Sequence, residues 1–257
     1  MSLTQTQVEQ AAELFLQAYN SGQQIEQLPQ ALEPQSKDDA YAIQAIVTEA
    51  RCPEGIRTWK VGAPNIETEP YAAPIFESVV SASPTVIPAD SLHMIGIEVE
   101  LCYRFNSDLP PRDQAYSAEE VAAAIEGVYV AIEVVDTRLK PWKTCAELWK
   151  LADNQINAAL IVGSGTQDWR TLDPAKLAGE LIVDGEVRVR GQGAHSVGDP
   201  MLLVHWTANH LTGRSGGLKK GDLVTTGTWT GMVFVEPGAE VVGRFEGLGE
   251  ARVSFPV

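Results

Sequence analysis

The spacing of hydrophobic residues changes once along the chain, and this change predicts the layout of the fold. In the N-terminal part, apolar residues recur every three to four positions, which is the period of an amphipathic helix. Thr4 and Ser36 stand where helix N-caps are expected, so we predict helices over residues 4–20 and from residue 36 to about residue 50. Beyond residue 56, short alternating or β-branched runs dominate, and such runs are typical of strands.

Turn residues divide the C-terminal part into strands and three further helices. Asp184-Gly185, for example, separates two short β-branched runs and is a strong hairpin signal. Prolines recur between Pro64 and Pro88, so a central strand is unfavourable there and we predict a long surface loop with a short element at Ile75. The predicted strands cover residues 56–62, 96–101, 129–136, 158–162, 181–183, 187–190, 221–231, 240–245 and 251–255, and the predicted helices cover residues 117–126, 145–153 (capped by Thr144) and 200–211.

The length and composition agree with an α+β protein that has a large hydrophobic core. The chain has 257 residues, of which 44% are hydrophobic and 21% are charged. The change of period divides it into an N-terminal helical region over residues 1–55 and a β-rich domain over residues 56–257. The second of these carries most of the candidate chemistry.

The charge and the cysteines argue against several classes of partner and compartment. A formal net charge of −15 at pH 7 disfavours nucleic acid or an anionic membrane surface as a partner. Three cysteines without C-x-x-C spacing indicate a reducing compartment and no disulfide framework. The chain starts without a signal-peptide pattern and has no apolar run long enough to span a membrane, so we expect a cytoplasmic protein.

The strand predicted over residues 96–101 carries two carboxylates on one face. Side chains alternate along a strand, so Glu98 and Glu100 share a face while the apolar residues around them point the other way. Two like charges about 7 Å apart raise each other's pKa unless a positive charge lies between them, and a divalent cation with oxygen ligands would supply that charge. The alternative is a half-exposed edge strand whose polar face lies in water.

A second predicted strand places one more carboxylate among apolar residues. Glu133 lies within the β-branched run at 129–136, and carboxylates are rarely buried unless they are paired or bind a metal. Together with Glu98 and Glu100 it would form an oxygen-ligand site for Mg²⁺, Mn²⁺ or Ca²⁺. The alternative for Glu133 is a salt bridge to an arginine such as Arg138.

Two further segments carry candidate site residues, each with an ordinary structural alternative. Lys60 lies between apolar residues of the strand predicted at 56–62. It is either a surface lysine with a buried stem, or a partly buried ammonium that faces the acidic site and holds or transfers a proton. Gly227 and Thr228 belong to a Gly/Thr loop, which either lets the backbone approach a ligand or forms a tight corner of the sheet.

Short motifs occur in a fixed order along the chain and together carry a family resemblance. They are DAYAIQ at 39–44, WKVG at 59–62, IEVEL at 97–101, IEVVDTR at 132–138 and ADN at 152–154, followed by the Gly/Thr loop and a terminal hairpin around Leu248. In the order and spacing of these motifs, the chain resembles the 2-keto-4-pentenoate hydratase / 4-oxalocrotonate decarboxylase family of the fumarylacetoacetate hydrolase superfamily. The resemblance covers about residues 36–257.

The resemblance implies a fold and a set of site residues. The implied fold is a mixed β-sandwich roll of the fumarylacetoacetate hydrolase type, with the N-terminal helices packed on it. The implied site holds Mg²⁺ or Mn²⁺ and includes an active-site lysine. The residues that match are Glu98, Glu100 and Glu133 for the metal, Lys60, Asp153 and Asn154 for catalysis, and Ile75, Gly227 and Thr228 for the substrate.

The function that the resemblance implies is hydration of a small anionic 2-oxo acid. A 2-hydroxy-2,4-dienoate (2-oxo-4-pentenoate) would gain water and become a 4-hydroxy-2-oxo acid, in the meta-cleavage degradation of aromatic compounds. Three alternatives stay open: a decarboxylase of 4-oxalocrotonate-type 2-oxo diacids, an acylpyruvate C–C hydrolase, and a non-catalytic partner subunit. The resemblance also implies a homo-oligomer and allows a complex with a pathway enzyme.

Two positions depart from the family pattern. Family hydratases often carry an acidic residue in the loop before Ile75, where this chain has Tyr71. They often follow the Asp-Asn pair with small or hydroxyl residues, where this chain has Gln155. Both positions bear on the substrate and on the acid–base assignment.

Overall fold

The computed structural model describes residues 2–257, which form five α-helices and thirteen strands. The helices are α1 (Gln5–Ser21), α2 (Lys37–Arg51), α3 (Ala118–Ala123), α4 (Glu147–Ala152) and α5 (Met201–Thr212). The strands are β1 (Thr58–Gly62), β2 (Tyr71–Ile75), β3 (Val80–Ala82), β4 (Thr85–Val86), β5 (Gly96–Phe105), β6 (Ile125–Val135), β7 (Asn157–Thr166), β8 (Ala178–Val183), β9 (Glu186–Gln192), β10 (Leu223–Thr228), β11 (Val233–Phe234), β12 (Glu240–Phe245) and β13 (Gly249–Ser254).

The strands form two sheets, and the α+β class is confirmed. The larger sheet has eight strands, with β2-β1-β10-β5-β6-β7-β3 in order and β11 paired to β5. The smaller sheet has five strands in the order β4-β13-β12-β8-β9. In the larger sheet β5 runs antiparallel to both β10 and β6, while β1 and β10 are parallel. Strand β5 therefore lies in the interior of that sheet.

One face of β5 packs against the smaller sheet. Ile97, Val99 and Leu101 are buried in the main hydrophobic core. On the facing strand β12, Gly243 leaves room for this contact, because a Cβ there would lie 3.0 Å from side-chain carbons of Val99 and Ile132. The opposite face of β5 carries the two glutamates, so the predicted alternation is confirmed.

Helices α1 and α2 pack with α4 and form a second hydrophobic cluster. Thr4 and Ser36 cap α1 and α2 as predicted, and each side chain accepts a hydrogen bond from a backbone N–H of the first turn. Phe15 of α1 is fully buried, and its ring centroid lies 6.1 Å from that of Trp149 in α4. None of the helices within residues 2–257 combines the length and the apolar character that a bilayer crossing requires.

The proline-rich segment at 64–88, where the sequence predicts a long surface loop with a short element at Ile75, contains more strand than expected. Residues 71–75 form β2 at one edge of the larger sheet, and residues 80–82 form β3 at the other edge. An edge strand accommodates Pro74 because its outer side needs no backbone N–H. The prediction was wrong because it weighed proline only against a central strand.

Three element boundaries also differ from those predicted. Helix α3 ends at Ala123, and β6 follows from Ile125, earlier than expected. Helix α4 starts at Glu147 and is not capped by Thr144, whose hydroxyl donates to a carbonyl of the preceding loop at 3.2 Å. Strand β7 continues through the glycines that were expected to end it, as far as Thr166.

Candidate metal centre and active site

Strand pairing brings three carboxylates together on one face of the larger sheet. In the register between β5 and β6, Glu98 lies directly opposite Glu133, and Glu100 follows on the same face of β5. One carboxylate oxygen from each of the three lies within 4.8 Å of those from the other two. Glu100 and Glu133 are fully buried.

Both structural alternatives for these carboxylates are wrong. Strand β5 is an interior strand, so its polar face is not that of a half-exposed edge. Arg138 does not pair with Glu133, because its Nε atom lies 2.5 Å from Oδ1 of Asp153. The ion-pair partner of Glu133 is Lys60, which is itself buried.

Glu100 has one carboxylate oxygen held by the protein and one without a partner. Its Oε2 accepts hydrogen bonds from the Thr225 hydroxyl and from the backbone N–H of Gly227, the latter at 3.0 Å. Its Oε1 is buried and has no hydrogen-bond partner. A buried anionic oxygen without a partner is costly, which indicates that something else binds there.

Glu133 shows the same arrangement on the neighbouring strand. Its Oε1 accepts hydrogen bonds from the Lys60 ammonium and, at 3.0 Å, from the side-chain amide of Asn157. Its Oε2 is buried without a partner. With Glu98 alongside, the site offers a set of carboxylate oxygens, two of them otherwise unsatisfied. Such a donor set fits a hard divalent cation such as Mg²⁺, Mn²⁺ or Ca²⁺.

Burial and mutual repulsion alter the ionisation of this cluster. Burial, together with the charge of Glu133, raises the pKa of Glu98 to about 7, and burial also raises the pKa of Glu100 well above its usual range. Burial by itself would lower the pKa of Lys60, but the surrounding carboxylates outweigh it and the pKa is raised. When all groups are ionised, three carboxylates and one ammonium leave two negative charges, which a divalent cation would neutralise.

A cavity of about 650 Å³ opens beside the cluster. Glu98, Glu100 and Lys60 reach its wall, as do Gly227 and Thr228 of the Gly/Thr loop. Apolar residues cover another part of the wall and would keep water away from a bound carbon chain. They are Val61, Ala63, Pro64, Leu148 and Leu151.

Four of the predicted site residues lie outside this cavity wall, and one of them is Glu133, which is fully buried behind it. Ile75 is fully buried in a small apolar cluster between β2 and its neighbours, so the structure does not show the substrate contact expected of it. Asp153 is also buried, and its carboxylate is bound by Arg138 instead of facing the cavity. Asn154 follows it and is buried outside the wall as well.

The sequence singles out Tyr71 and Gln155 as departures from the family pattern, but it does not predict the roles of Asn157 and Thr225. Asn157 and Thr225 hold the two buried carboxylates, and Tyr71 and Gln155 line the cavity. Burial raises the pKa of Tyr71, so its hydroxyl remains a proton donor at neutral pH. The threonines around position 225 indicate in the sequence that hydroxyl groups could face a ligand. The hydrogen bond from Thr225 to Glu100, however, depends on how the strands pair.

The chain is similar to known proteins in both sequence and fold. The sequence model of the family described as Fumarylacetoacetate (FAA) hydrolase C-terminal matches residues 52–255. The chain is 29% identical to a 2-keto-4-pentenoate hydratase of Paraburkholderia xenovorans (strain LB400), over 98% of this chain and 96% of that protein. It is 30% identical to a 2-keto-4-pentenoate hydratase of Burkholderia vietnamiensis (strain G4 / LMG 22486), over 84% and 85%. The structure of 4-oxalocrotonate decarboxylase from Pseudomonas putida G7, complexed with magnesium and adipate, has a TM-score of 0.86 and 25% identity, over 99% of both chains.

Proposed function

The chain belongs to the fumarylacetoacetate hydrolase family, and from that premise we propose that it is a metal-dependent hydratase of 2-hydroxy-2,4-dienoates. Water adds to the dienoate, through its 2-oxo tautomer, and gives a 4-hydroxy-2-oxo acid in the meta-cleavage degradation of aromatic compounds. One observation carries the proposal. Glu100 Oε1 and Glu133 Oε2 are buried without partners beside Glu98, and Glu98 and Glu100 line a cavity of about 650 Å³.

Glu98, Glu100 and Glu133 are the residues that would hold the cation, Mg²⁺ or Mn²⁺. When bound, it supplies a Lewis acid toward the carboxylate and 2-oxo oxygens of the substrate. Thr225 and the Gly227 backbone keep one oxygen of Glu100 in a fixed orientation, so the other oxygen stays available.

Lys60 would bind and orient the anionic end of the substrate. Its ammonium is held between Glu133 and the backbone carbonyl of Gln155, the latter at 3.2 Å. An ammonium has three N–H groups, so one remains for a substrate oxygen. Lys60 and the Tyr71 hydroxyl both hold protons at neutral pH, and both line the cavity in which ketonisation must move a proton along the diene.

The cavity lining favours an uncharged substrate chain. Apart from Lys60, the cationic residue among those that line the cavity is Lys37. Its ammonium binds the side chain and the carbonyl of Glu69, both at 2.9 Å, and the carbonyl of Pro70 at 3.1 Å. All three of its N–H donors are therefore used, and a distal carboxylate would find no free cation in this lining.

Decarboxylation of a 4-oxalocrotonate-type diacid is the second candidate function. It is favoured by the similarity to the Pseudomonas putida decarboxylase, whose fold matches over 99% of both chains. The same acidic cluster would serve both reactions. The two candidates differ in whether the substrate loses CO₂ or gains water.

The deciding experiment offers the purified protein two substrates, with Mg²⁺ and with EDTA. We expect dienoate absorbance to fall with 2-hydroxypenta-2,4-dienoate, and EDTA to abolish this loss reversibly. Release of CO₂ from 4-oxalocrotonate without dienoate hydration would support the decarboxylase instead, and pyruvate release from an acylpyruvate would support the C–C hydrolase. A protein that is inactive by itself but activates a co-purified enzyme would support the partner subunit.

The quaternary structure belongs to the same proposal. By analogy with the family, we infer a homo-oligomer, which can form a complex with a pathway enzyme. Light scattering coupled to size-exclusion chromatography measures the mass of the assembly, and a mass equal to one chain of 27.8 kDa would contradict the homo-oligomer.

A further inference from the structure

The segment from Asp153 to Asn157 has an unusual backbone beside the acidic cluster. Asn154, Gln155 and Ile156 have φ angles of 50°, 52° and 54°. This left-handed region is unfavourable for residues that carry a side chain, above all for a β-branched residue such as isoleucine. Three such residues in succession persist only where surrounding contacts impose the conformation, and strained backbone of this kind is concentrated at functional sites.

One buried arginine holds both ends of this turn. The carboxylate of Asp153 accepts hydrogen bonds from Arg138 through Nε at 2.5 Å and through the backbone N–H at 3.0 Å, and from the Thr137 hydroxyl at 2.8 Å. At the other end, the Asn157 carbonyl accepts from Nη1 of Arg138 at 2.8 Å. The turn is therefore tied to the segment that follows β6, the strand of Glu133.

Two groups of this segment contact the ion pair of Lys60 and Glu133. The carbonyl of Gln155 accepts a hydrogen bond from the Lys60 ammonium at 3.2 Å. The side-chain amide of Asn157 donates to Oε1 of Glu133 at 3.0 Å. Lys60 and Glu133 also bind each other, so the segment contacts both members of this ion pair. With Oε1 engaged twice, Glu133 has only Oε2 free for another partner.

We propose that the segment from Asp153 to Asn157, which contains the left-handed turn Asn154–Ile156, is the positioning element of the metal centre, with Gln155 and Asn157 as its positioning residues. The inference rests on the proposed role of Glu133 as a metal ligand. A carboxylate whose second oxygen is already fixed does not need to be ordered when the cation binds, so affinity rises. Asp153, which the resemblance makes a catalytic candidate, anchors this turn.

The first test removes the amide that holds Glu133. In the Asn157→Ala variant we expect the Kd for Mg²⁺ to rise about 10- to 100-fold, measured by isothermal titration calorimetry without substrate. The matched control is Asn209→Ala on α5, which removes a partly buried amide that donates to the Tyr116 carbonyl at 3.1 Å, outside the cavity wall. Its Kd should equal that of the wild type. Equal Kd values in both variants would overturn the proposal.

The second test loosens the turn without removing its carbonyl. Glycine adopts the left-handed region without steric cost but populates the other backbone regions equally well, so it leaves the turn less restricted, whereas asparagine adopts that region readily. We expect Gln155→Gly to weaken Mg²⁺ binding about tenfold without lowering the midpoint of thermal unfolding, and Gln155→Asn to keep the affinity within about twofold. Equal Mg²⁺ affinity in the two variants would mean that the turn is only a connection, and the proposal would be wrong.

The substrate-free titration separates this inference from the proposed reaction. A wild-type protein that binds Mg²⁺ more tightly than Asn157→Ala, but hydrates no dienoate, would contradict the reaction and support the positioning role. A wild-type protein that hydrates the dienoate and binds Mg²⁺ no more tightly than Asn157→Ala would contradict the positioning role alone.

Discussion

At the scale of single residues, the acidic cluster lowers the stability of the fold unless a cation is bound. Glu100 and Glu133 are fully buried, yet each leaves one oxygen without a partner. Lys60 neutralises only one of the three carboxylates. Buried charges without full compensation destabilise a fold, so this arrangement supports the proposed cation site.

Replacing Glu133 by glutamine should remove metal binding and activity together. The amide has nearly the same shape, but it lacks the negative charge that both the cation and Lys60 require. We expect Mg²⁺ binding to become undetectable by calorimetry and dienoate turnover to fall about 100-fold or more. The control is Glu126→Gln on the same strand, away from the cluster, which should keep both. Full activity in Glu133→Gln would contradict the assigned site.

The raised pKa of Glu98 predicts that metal affinity depends on pH. Below its pKa of about 7 this carboxyl holds a proton, which a cation must displace. One such proton makes the Kd for Mg²⁺ about tenfold higher at pH 6 than at pH 8, measured by calorimetry. A Kd independent of pH over this interval would show that Glu98 is already ionised or is not a ligand.

The same pKa shift makes the metal-free protein more stable at low pH, although it weakens metal binding there. Because the folded pKa of Glu98 lies above the unfolded value of 4.5, its stabilising contribution is complete below about pH 4.5 and is lost as the pH rises through about 7. This group therefore makes the EDTA-treated protein less stable at pH 8 than at pH 5.5. Saturating Mg²⁺ should remove that difference, because Glu98 is then ionised in both the folded and the unfolded state at either pH, and thermal unfolding at the two pH values would detect this.

At the scale of elements, glycines in β7 allow the two sheets to meet. A Cβ on Gly163 would overlap the carbonyl oxygen of Glu250 in β13 and would lie 2.8 Å from the Cα of Ala251. A strand with a side chain at this position would have to move away from β13, and the larger sheet would lose contact with the smaller one. The glycine run is thus part of the strand and not its end.

The Gly163→Ala substitution should destabilise the protein by about 1–3 kcal/mol through overpacking, measured by urea unfolding. Gly213→Ala, after helix α5, is the control because a Cβ there would have no atom within 4 Å and its φ is not in the left-handed region. That variant should change the free energy of unfolding by less than about 0.5 kcal/mol. Equal effects of the two substitutions would contradict the packing explanation.

At the scale of the whole molecule, the cavity lies where the helical region meets the β-rich part. Lys37 comes from α2, Leu148 and Leu151 come from α4, and Lys60 comes from β1. Of the two helices with residue numbers below 55, α2 therefore contributes Lys37 to the cavity wall, and α1 packs against α2. Loss of their packing would open the site to water as well as destabilise the fold.

A bound cation should stabilise the whole molecule, because the three ligands meet only in the folded state. At a Mg²⁺ concentration 100-fold above the Kd, mass action adds about 2.7 kcal/mol to the free energy of unfolding. For a chain of this size the midpoint of thermal unfolding should rise by roughly 5–10 °C, measured by differential scanning calorimetry. EDTA should reverse the shift, and the Glu133→Gln variant should show none. An equal shift in that variant would place the cation elsewhere.

Local patterns in the sequence were sufficient for several features of this protein. The period of two along residues 97–101 predicts that Glu98 and Glu100 share a face, because side-chain direction in a strand depends only on position along it. The caps at Thr4 and Ser36 and the ordered motifs of the family are equally local. They determined the fold class, the family and the candidate ligands.

Only the tertiary structure decided how those groups meet. The pairing register of β5 and β6 sets Glu133 opposite Glu98. The fold also pairs Arg138 with Asp153 and brings the Asn157 amide within hydrogen-bond distance of Glu133. These contacts join segments whose local patterns are independent of one another, so no spacing along the chain encodes them. A slip of one residue in the register would turn every side chain of the strand to the other face. For that reason the metal centre is a property of the assembled sheet.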